Sequence, residues 1–282
     1  MQDVAEKALV LGGGGITGIA WEIGILAGLA ERGIDLTDAD LVVGTSAGSV
    51  VGVDVRSGAP LPDLYATQAQ PTGAGEIYAR MRLPLMARYV TAMAFTKKPQ
   101  VARARIGAMA VRARTEPEEE RRKVIESRLP VLDWPPGKLQ ITAVDAATGQ
   151  FAVFDAASGV SLLDAVGASC AVPGIWPPVT INGRRYIDGG MRSAANVDLA
   201  AGCKQVVVIA PLTQGFGVVE SVGRQAARLV EQGARVALVK PDKAALQAIG
   251  NNVLDPAHRP GAARAGYAQA RAETDAVKAV WL

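Results

Sequence analysis

The sequence predicts an α/β fold: a three-layer arrangement in which a mainly parallel sheet is flanked by helices and interrupted by an inserted helical segment. Three observations carry that reading. Short, wholly apolar runs alternate with helical stretches, the pattern of strands buried on both faces. Each early unit ends in glycine where a left-handed helix cap or a tight strand-to-helix turn is expected. Hydrophobic residues make up 49% of the 282 residues and charged ones only 20%, which supplies a sizeable core and excludes a disordered or fibrous chain.

Along the chain, Ala8-Leu9-Val10-Leu11 reads as the first strand, stopped by Gly12 to Gly15. A helix follows from about Thr17 to Arg32, closed by Gly33. Leu41-Val42-Val43 is the second strand, and Ser46 to about Arg56 the second helix, ended by Gly58. The stretch from Gly58 to Gly75, rich in Pro and Gly, reads as a loop. Beyond the insert, Leu139–Val144 and Phe151–Phe154 form an expected strand pair around Thr148-Gly149. Ser161-Leu162-Leu163-Asp164 is a capping-box start to a helix that ends near Pro173. Thr180 to Ile187 predicts a hairpin turning at Asn182-Gly183. Val206–Ile209 and Val236–Val239 are further buried strands, with helices at about 220–235 and 262–281. No internal repeat is visible. The expected organisation is one domain over 1–282, its core at about 7–75 and 131–282 and its insert at about 76–130.

The insert is distinct in charge. From Ile77 to Thr115 there are nine basic residues and no acid, so this stretch carries +9 while the rest of the chain carries −6. Four of the six methionines also fall here: Met81, Met86, Met93 and Met109. On a helix from Leu85 to Phe95, Leu85, Tyr89, Met93, Met86 and Val90 share an apolar face with Arg88 opposite. Two expectations follow. One is a plain cover for the core with its arginines in water. The other is a cap whose Met86, Tyr89 and Met93 meet acyl chains while Arg88, Lys97 and Lys98 meet anionic headgroups. Tyr78, Tyr89 and Phe95 are too few aromatics for a nucleic-acid stacking platform, so no nucleic-acid partner is expected.

The residues suited to chemistry lie outside the insert. Gly44-Thr45-Ser46-Ala47-Gly48 is a G-x-S-x-G between a buried strand and a helix. A sharp turn there lifts the serine oxygen clear of the backbone, and the helix N-terminus favours negative charge beside it. Gly12-Gly13-Gly14-Gly15-Ile16-Thr17-Gly18 follows the neighbouring strand, so its N–H groups are candidate oxyanion donors, chiefly Gly13, Gly14 and Gly15. The Ala47 N–H, directly after the serine, is a further candidate. Gly13-x-Gly15-x-x-Gly18 also matches a dinucleotide fingerprint, but the second strand ends in Gly44-Thr45-Ser46 rather than in the acid that would hold a ribose. A phosphate-binding P-loop is weaker still, for no Lys-Ser or Lys-Thr follows the glycines. Asp188, at a strand end before Gly189-Gly190, is a candidate base acting directly on the serine, because the chain has a single histidine.

This ordered set resembles the patatin-like phospholipase family: the glycine loop (Gly13, Gly14, Gly15, Gly18), the G-x-S-x-G serine (Ser46) and the Asp-Gly-Gly acid (Asp188). Ala168-Ser169-x-Ala171-x-Pro173 ahead of the acid adds to it, and the likeness spans roughly 7–58 and 138–212. The resemblance implies a patatin-like fold and a Ser-Asp dyad without histidine, acting on acyl esters of lipids as a phospholipase, lysophospholipase or esterase. Thr17 stands where the family commonly carries Arg or Lys, so charge assistance to the oxyanion from that position is not expected.

Alternatives remain on the sequence alone. Ser46, Asp188 and His258 follow the chain order of α/β-hydrolase triads, although His258 sits in a polar Asp-Pro-Ala-His-Arg-Pro turn. A non-catalytic lipid- or dinucleotide-binding module on the same scaffold is the reading from another class. No metal or organic cofactor is expected. Cys170 and Cys203 lack metal or redox spacing and read as free thiols. Met1 to Lys7 carries acids and leads straight into a strand, unlike a secretory signal, and no run approaches the ~18 apolar residues of a membrane span. The expected location is the cytoplasm, with peripheral contact at an anionic membrane.

Overall fold

The computed structural model describes residues 5–71, 79–80, 83–94, 96–215 and 217–282. Tyr78, Met81 and Phe95, invoked above for the insert, lie outside the described residues, as do residues 1–4.

Eight strands form one sheet: β1 (Lys7–Leu11), β2 (Leu41–Gly44), β3 (Lys138–Asp145), β4 (Phe151–Phe154), β5 (Val179–Ile181), β6 (Arg184–Asp188), β7 (Gln205–Ile209) and β8 (Arg235–Val239). The pairs β3–β2, β2–β1, β1–β7 and β7–β8 are parallel, whereas β3–β4, β3–β6 and β5–β6 are antiparallel. The sheet is therefore mixed but mostly parallel. The β5–β6 hairpin turns at Asn182-Gly183, both at positive φ, as that dipeptide predicts.

Alternation along the strands splits the core into two faces. Leu9, Leu11, Val42, Ile141, Val207 and Ile209 point to one, with α1 (Gly15–Ala30), α2 (Ala47–Arg56), α7 (Leu162–Ser169) and α10 (Arg259–Trp281) against it. Ala8, Val10, Val43, Val206 and Val208 point to the other, beneath α8 (Val222–Glu231). Three layers result, as predicted. On α1, a Cβ at Gly24 would fall 2.2 Å from the Ala263 carbonyl oxygen, so glycine there lets α10 lie directly on α1.

Two helices escaped the sequence reading. The Pro- and Gly-rich stretch after Gly58 contains α3 (Leu61–Ala69), entered through Pro60 and Pro62, residues suited to a first helical turn. The short α9 (Lys243–Ile249) follows β8, capped by the Asp242 carboxylate on the Ala245 N–H at 2.7 Å.

Within the insert, α4 (Leu83–Met93) and α5 (Pro99–Arg112) cover the second face over β3 and β6, and α6 (Glu118–Glu126) packs on α7. The apolar face expected of α4 divides. Tyr89, 5% exposed, packs with Ile106, Val144 and Ile187, and Leu85 and Met93 lie partly buried against them, while Met86 is 43% exposed. Tyr89 and Met93 therefore do not face lipid: β6 offers an apolar surface that α4 must cover. Met86, Arg88, Lys97 and Lys98 stay exposed as expected.

One feature of the register positions everything that follows. Ile141 pairs with both Gly44 and Phe154, and Ala143 with both Asp188 and Ala152. β4 thus takes one edge of β3, while β2 and β6 share the other and run toward each other. They end at Gly44 and Asp188, two residues apart along β3, or about 6.6 Å. Thr142 lies between the two ends.

Candidate active site

Ser46 sits on the turn from β2 into α2 at φ 52° and ψ −116°, a conformation that side-chain-bearing residues adopt at a cost of about 1–3 kcal/mol. Close packing holds the turn. A Cβ at Gly48 would fall 2.2 Å from the Leu11 carbonyl oxygen, and one at Gly44 would fall 2.6 Å from the Gly48 oxygen. The Gly48 N–H donates to the Gly12 oxygen at 2.9 Å, tying the elbow to the glycine loop. Ser46 is 8% exposed.

Asp188 ends β6 and is 3% exposed. Its Oδ1 accepts from the Gly190 N–H at 2.7 Å, and the Ser46 side chain lies near enough to favour its ionised form. Burial pushes the carboxyl up to about 6, against the lowering effect of the Ser46 side chain and the Gly190 N–H. Serine and carboxylate are neighbours, with no residue between them in the hydrogen-bonded network described below. His258 does not take part: it lies exposed on a 3₁₀ turn (Pro256–His258), its ring Nδ1 3.0 Å from the Ala248 oxygen.

The segment Ala168 to Pro173 bridges the two groups. Ser169 Oγ accepts the Ser46 N–H at 2.8 Å, and the Ala171 oxygen accepts the Asp188 N–H at 3.0 Å. The Pro173 oxygen accepts the Tyr89 hydroxyl at 2.8 Å, so the insert braces the bridge from outside. Cys170, expected as an inert thiol, donates to the Ser46 oxygen at 3.4 Å, with burial and the Asp188 charge raising it to about 11.

Sequence reasoning missed the buried polar network behind these residues. Asn196 Nδ2 donates to Thr45 Oγ1 at 3.0 Å, to Thr142 Oγ1 at 3.3 Å and to the Ser193 oxygen at 3.0 Å. Thr45 and Thr142 share a hydrogen bond of 2.9 Å. Arg192 donates to Asn196 Oδ1 and makes a two-pronged pair with Asp198. The one available signal was Asn196 itself, which occupies a left-handed conformation that asparagine tolerates.

The glycine loop contributes less uniformly than expected. The Gly13 N–H is spent on the Ala194 oxygen at 2.7 Å, so Gly13 is not an open donor. A Cβ there would sit 3.5 Å from the Ser46 Cβ, an ordinary contact, so the loop passes directly against the serine. Gly14 and Ser46 open α1 and α2 with no side-chain cap, and the N–H groups of Gly14, Gly15 and Ala47 have no protein acceptor among the described residues. Beneath the loop, Glu22 is fully buried, with Oε1 accepting the Gly12 N–H at 2.9 Å; burial raises its carboxyl well above the ordinary range. Arg121 and Arg128 line the small pocket at Ser46 together with Gly15, Ala47, Cys170 and Trp176. They bring positive charge to the pocket that Thr17 leaves without it. Met86, Arg88, Lys97 and Lys98 are not among the residues lining this pocket.

Among the described residues no group of three or more His, Cys, Asp or Glu has the proximity to hold a metal ion, and no helix is long and apolar enough to cross a membrane. The family model described as patatin-like phospholipase matches residues 9–201. Two solved structures are similar to the chain. VipD from Legionella pneumophila is 14% identical, with a TM-score of 0.47, over 98% of this chain and 67% of that one. The type III effector protein ExoU is 15% identical, with a TM-score of 0.38, over 99% of this chain and 54% of that one. No curated protein sequence matches the chain.

Proposed function

Because the chain belongs to the patatin-like phospholipase family, we propose that it is a serine acyl-ester hydrolase acting on lipids through Ser46 and Asp188. The observation that carries this reading is that β2 and β6 end two residues apart along β3, which brings the Ser46 side chain beside the buried Asp188 carboxyl. In the proposed cycle, Ser46 Oγ attacks the ester carbonyl as Asp188 accepts its proton. The negative oxygen of the tetrahedral intermediate is met by the N–H groups of Gly14, Gly15 and Ala47. Each such donor is typically worth about 2.7–4 kcal/mol of transition-state stabilisation. The proton on Asp188 then passes to the departing alkoxide, and Asp188 activates the water that releases the acyl group from Ser46.

The raised carboxyl suits this work. An ordinary aspartate is too weak a base to take a hydroxyl proton effectively. One pushed up to about 6 is stronger and still about nine-tenths ionised at pH 7. The exposed Met86, Arg88, Lys97 and Lys98 support peripheral contact with an anionic membrane. A fluorophosphonate probe tests the nucleophile: wild-type protein is expected to label and Ser46→Ala is not. Labelling that persists in Ser46→Ala removes the serine from the mechanism, and wild-type protein that does not label favours a non-catalytic binding module.

A further inference from the structure

Behind the small pocket at Ser46 lies a cavity of about 540 Å³. The two share Ile16, Ile19 and Arg128 as lining residues, so the cavity adjoins the reacting centre. An apolar cavity there would hold an acyl chain. This one contains two acceptors without donors. Asp54, on α2, is 5% exposed and lines the cavity, and its carboxyl has no hydrogen-bond partner among the described residues. Gln68, on α3, lines the same cavity with a buried Oε1 that also lacks a partner. Gln68 Oε1, buried without a protein partner, and the Asp54 carboxyl on the same cavity are positions where an incoming group that brings donors gains hydrogen bonds.

The chemistry of the walls narrows that ligand. An ammonium group would satisfy both acceptors but would share the cavity with the Arg128 and Arg259 side chains, which repel it. Hydroxyls do not suffer this, and they both donate and accept. That matters because burial raises the Asp54 carboxyl to about 7, where its protonated and ionised forms coexist and each finds a partner in a hydroxyl.

We propose that this cavity binds the alcohol portion of the substrate, and that the alcohol is a polyol whose free hydroxyls bond Asp54 and Gln68. The proposal rests on the hydrolase reading above and names the part of the ester that stays behind when the acyl group moves to Ser46. Specificity of this kind arises because a site built for hydroxyls leaves its own polar groups unpaired when the analogue lacks them.

The test compares a 1-monoacylglycerol with the methyl ester of the same acyl chain. Wild-type kcat/KM is expected to favour the monoacylglycerol by at least about tenfold. Asp54→Leu and Gln68→Leu should each bring the ratio toward one, chiefly through KM, and Asp54→Asn should keep most of it. Leucine at position 54 removes a buried carboxyl, so its thermal midpoint should not fall. If it does, Gln68→Leu alone decides. Equal kcat/KM in the wild type, a ratio unmoved by both leucines, or faster turnover of long-chain methyl esters in the leucine variants would each overturn the proposal. The last result would make the cavity an acyl pocket. Should wild-type protein neither label with fluorophosphonate nor turn over either ester, the hydrolase reading fails separately. Equilibrium binding of the monoacylglycerol to wild type and Asp54→Leu then decides: tenfold weaker binding by the variant supports the cavity assignment, and equal binding refutes it.

Discussion

Replacing Asp188 by Asn should stabilise the protein at neutral pH while removing its activity. The carboxyl is held at about 6 in the folded chain against an ordinary value of 3.8, with burial the dominant cause. A shift of about two units corresponds to about 3 kcal/mol, at 1.36 kcal/mol per unit. The sign follows from linkage. Below pH ~4 the group is protonated both folded and unfolded and contributes nothing. As pH rises from about 4 to about 6 the unfolded chain ionises first, and stability is lost. Above about 6 the full cost is present. The lowering effects of Ser46 and Gly190 are already included in that value. Asparagine keeps an acceptor for the Gly190 N–H but never ionises. Urea unfolding should therefore find wild type and variant nearly equal at pH 4 and the variant up to about 3 kcal/mol more stable at pH 7. Turnover of a short ester should fall by roughly 10²–10⁴, the usual contribution of a general base. In the wild type, kcat/KM should rise with a midpoint near pH 6 and be about tenfold lower at pH 5 than at pH 7. A histidine base titrates in the same region, so His258→Ala must leave that midpoint in place. An Asn variant that is no more stable at pH 7 than at pH 4 relative to wild type, or one that keeps full turnover, refutes the reasoning.

The elbow and the insert give two further expectations. Gly48→Ala should destabilise by more than about 3 kcal/mol in thermal unfolding or fail to fold, because its Cβ meets the Leu11 backbone oxygen at 2.2 Å; Gly223→Ala, with open space around it on α8, should be neutral or stabilising by up to about 1 kcal/mol. Liposome flotation should find low-salt binding to anionic vesicles that weakens as salt rises and drops further in a Met86→Asp, Lys97→Ala, Lys98→Ala variant, and absence of binding at low salt would return the insert to a plain cover.

Much of the fold was legible because it is local. Apolar runs ending in glycine marked β1 and β2, Asn182-Gly183 marked the β5–β6 turn, and Ser161 marked the start of α7 through its bond from the Asp164 N–H. The elbow at Ser46 was legible for the same reason, since a G-x-S-x-G between strand and helix is a local pattern. What escaped were effects of distant packing. The burial of Tyr89 depends on β6 lying beneath α4, and the loss of Gly13 as a donor depends on Ala194 arriving from far along the chain. α3 was hidden because the prolines and glycines around it are strong loop signals, and Pro near a helix start is equally ordinary. Cys170 read as inert since nothing in its neighbours' identity places it beside Ser46.

The meeting of two side chains 142 positions apart still needs a cause, and the register of β3 provides it. A histidine between serine and acid tolerates variation, for its ring spans the gap and can rotate. A direct pair has no such spacer, so the distance between hydroxyl and carboxyl must be set by the backbone. Here β2 and β6 end on one edge of β3, with Thr142 between them. Thr142 Oγ1 joins Thr45, the residue before Ser46, and Asn196, whose amide also reaches the Gly189 oxygen next to Asp188. From the other side, Ser169 and Ala171 take the backbone N–H groups of Ser46 and Asp188. Two independent braces therefore fix one separation. Either alone would leave a hinge at the elbow or at the Asp-Gly-Gly turn, and a proton passed straight from a strained serine to a desolvated carboxylate would have no slack to absorb one.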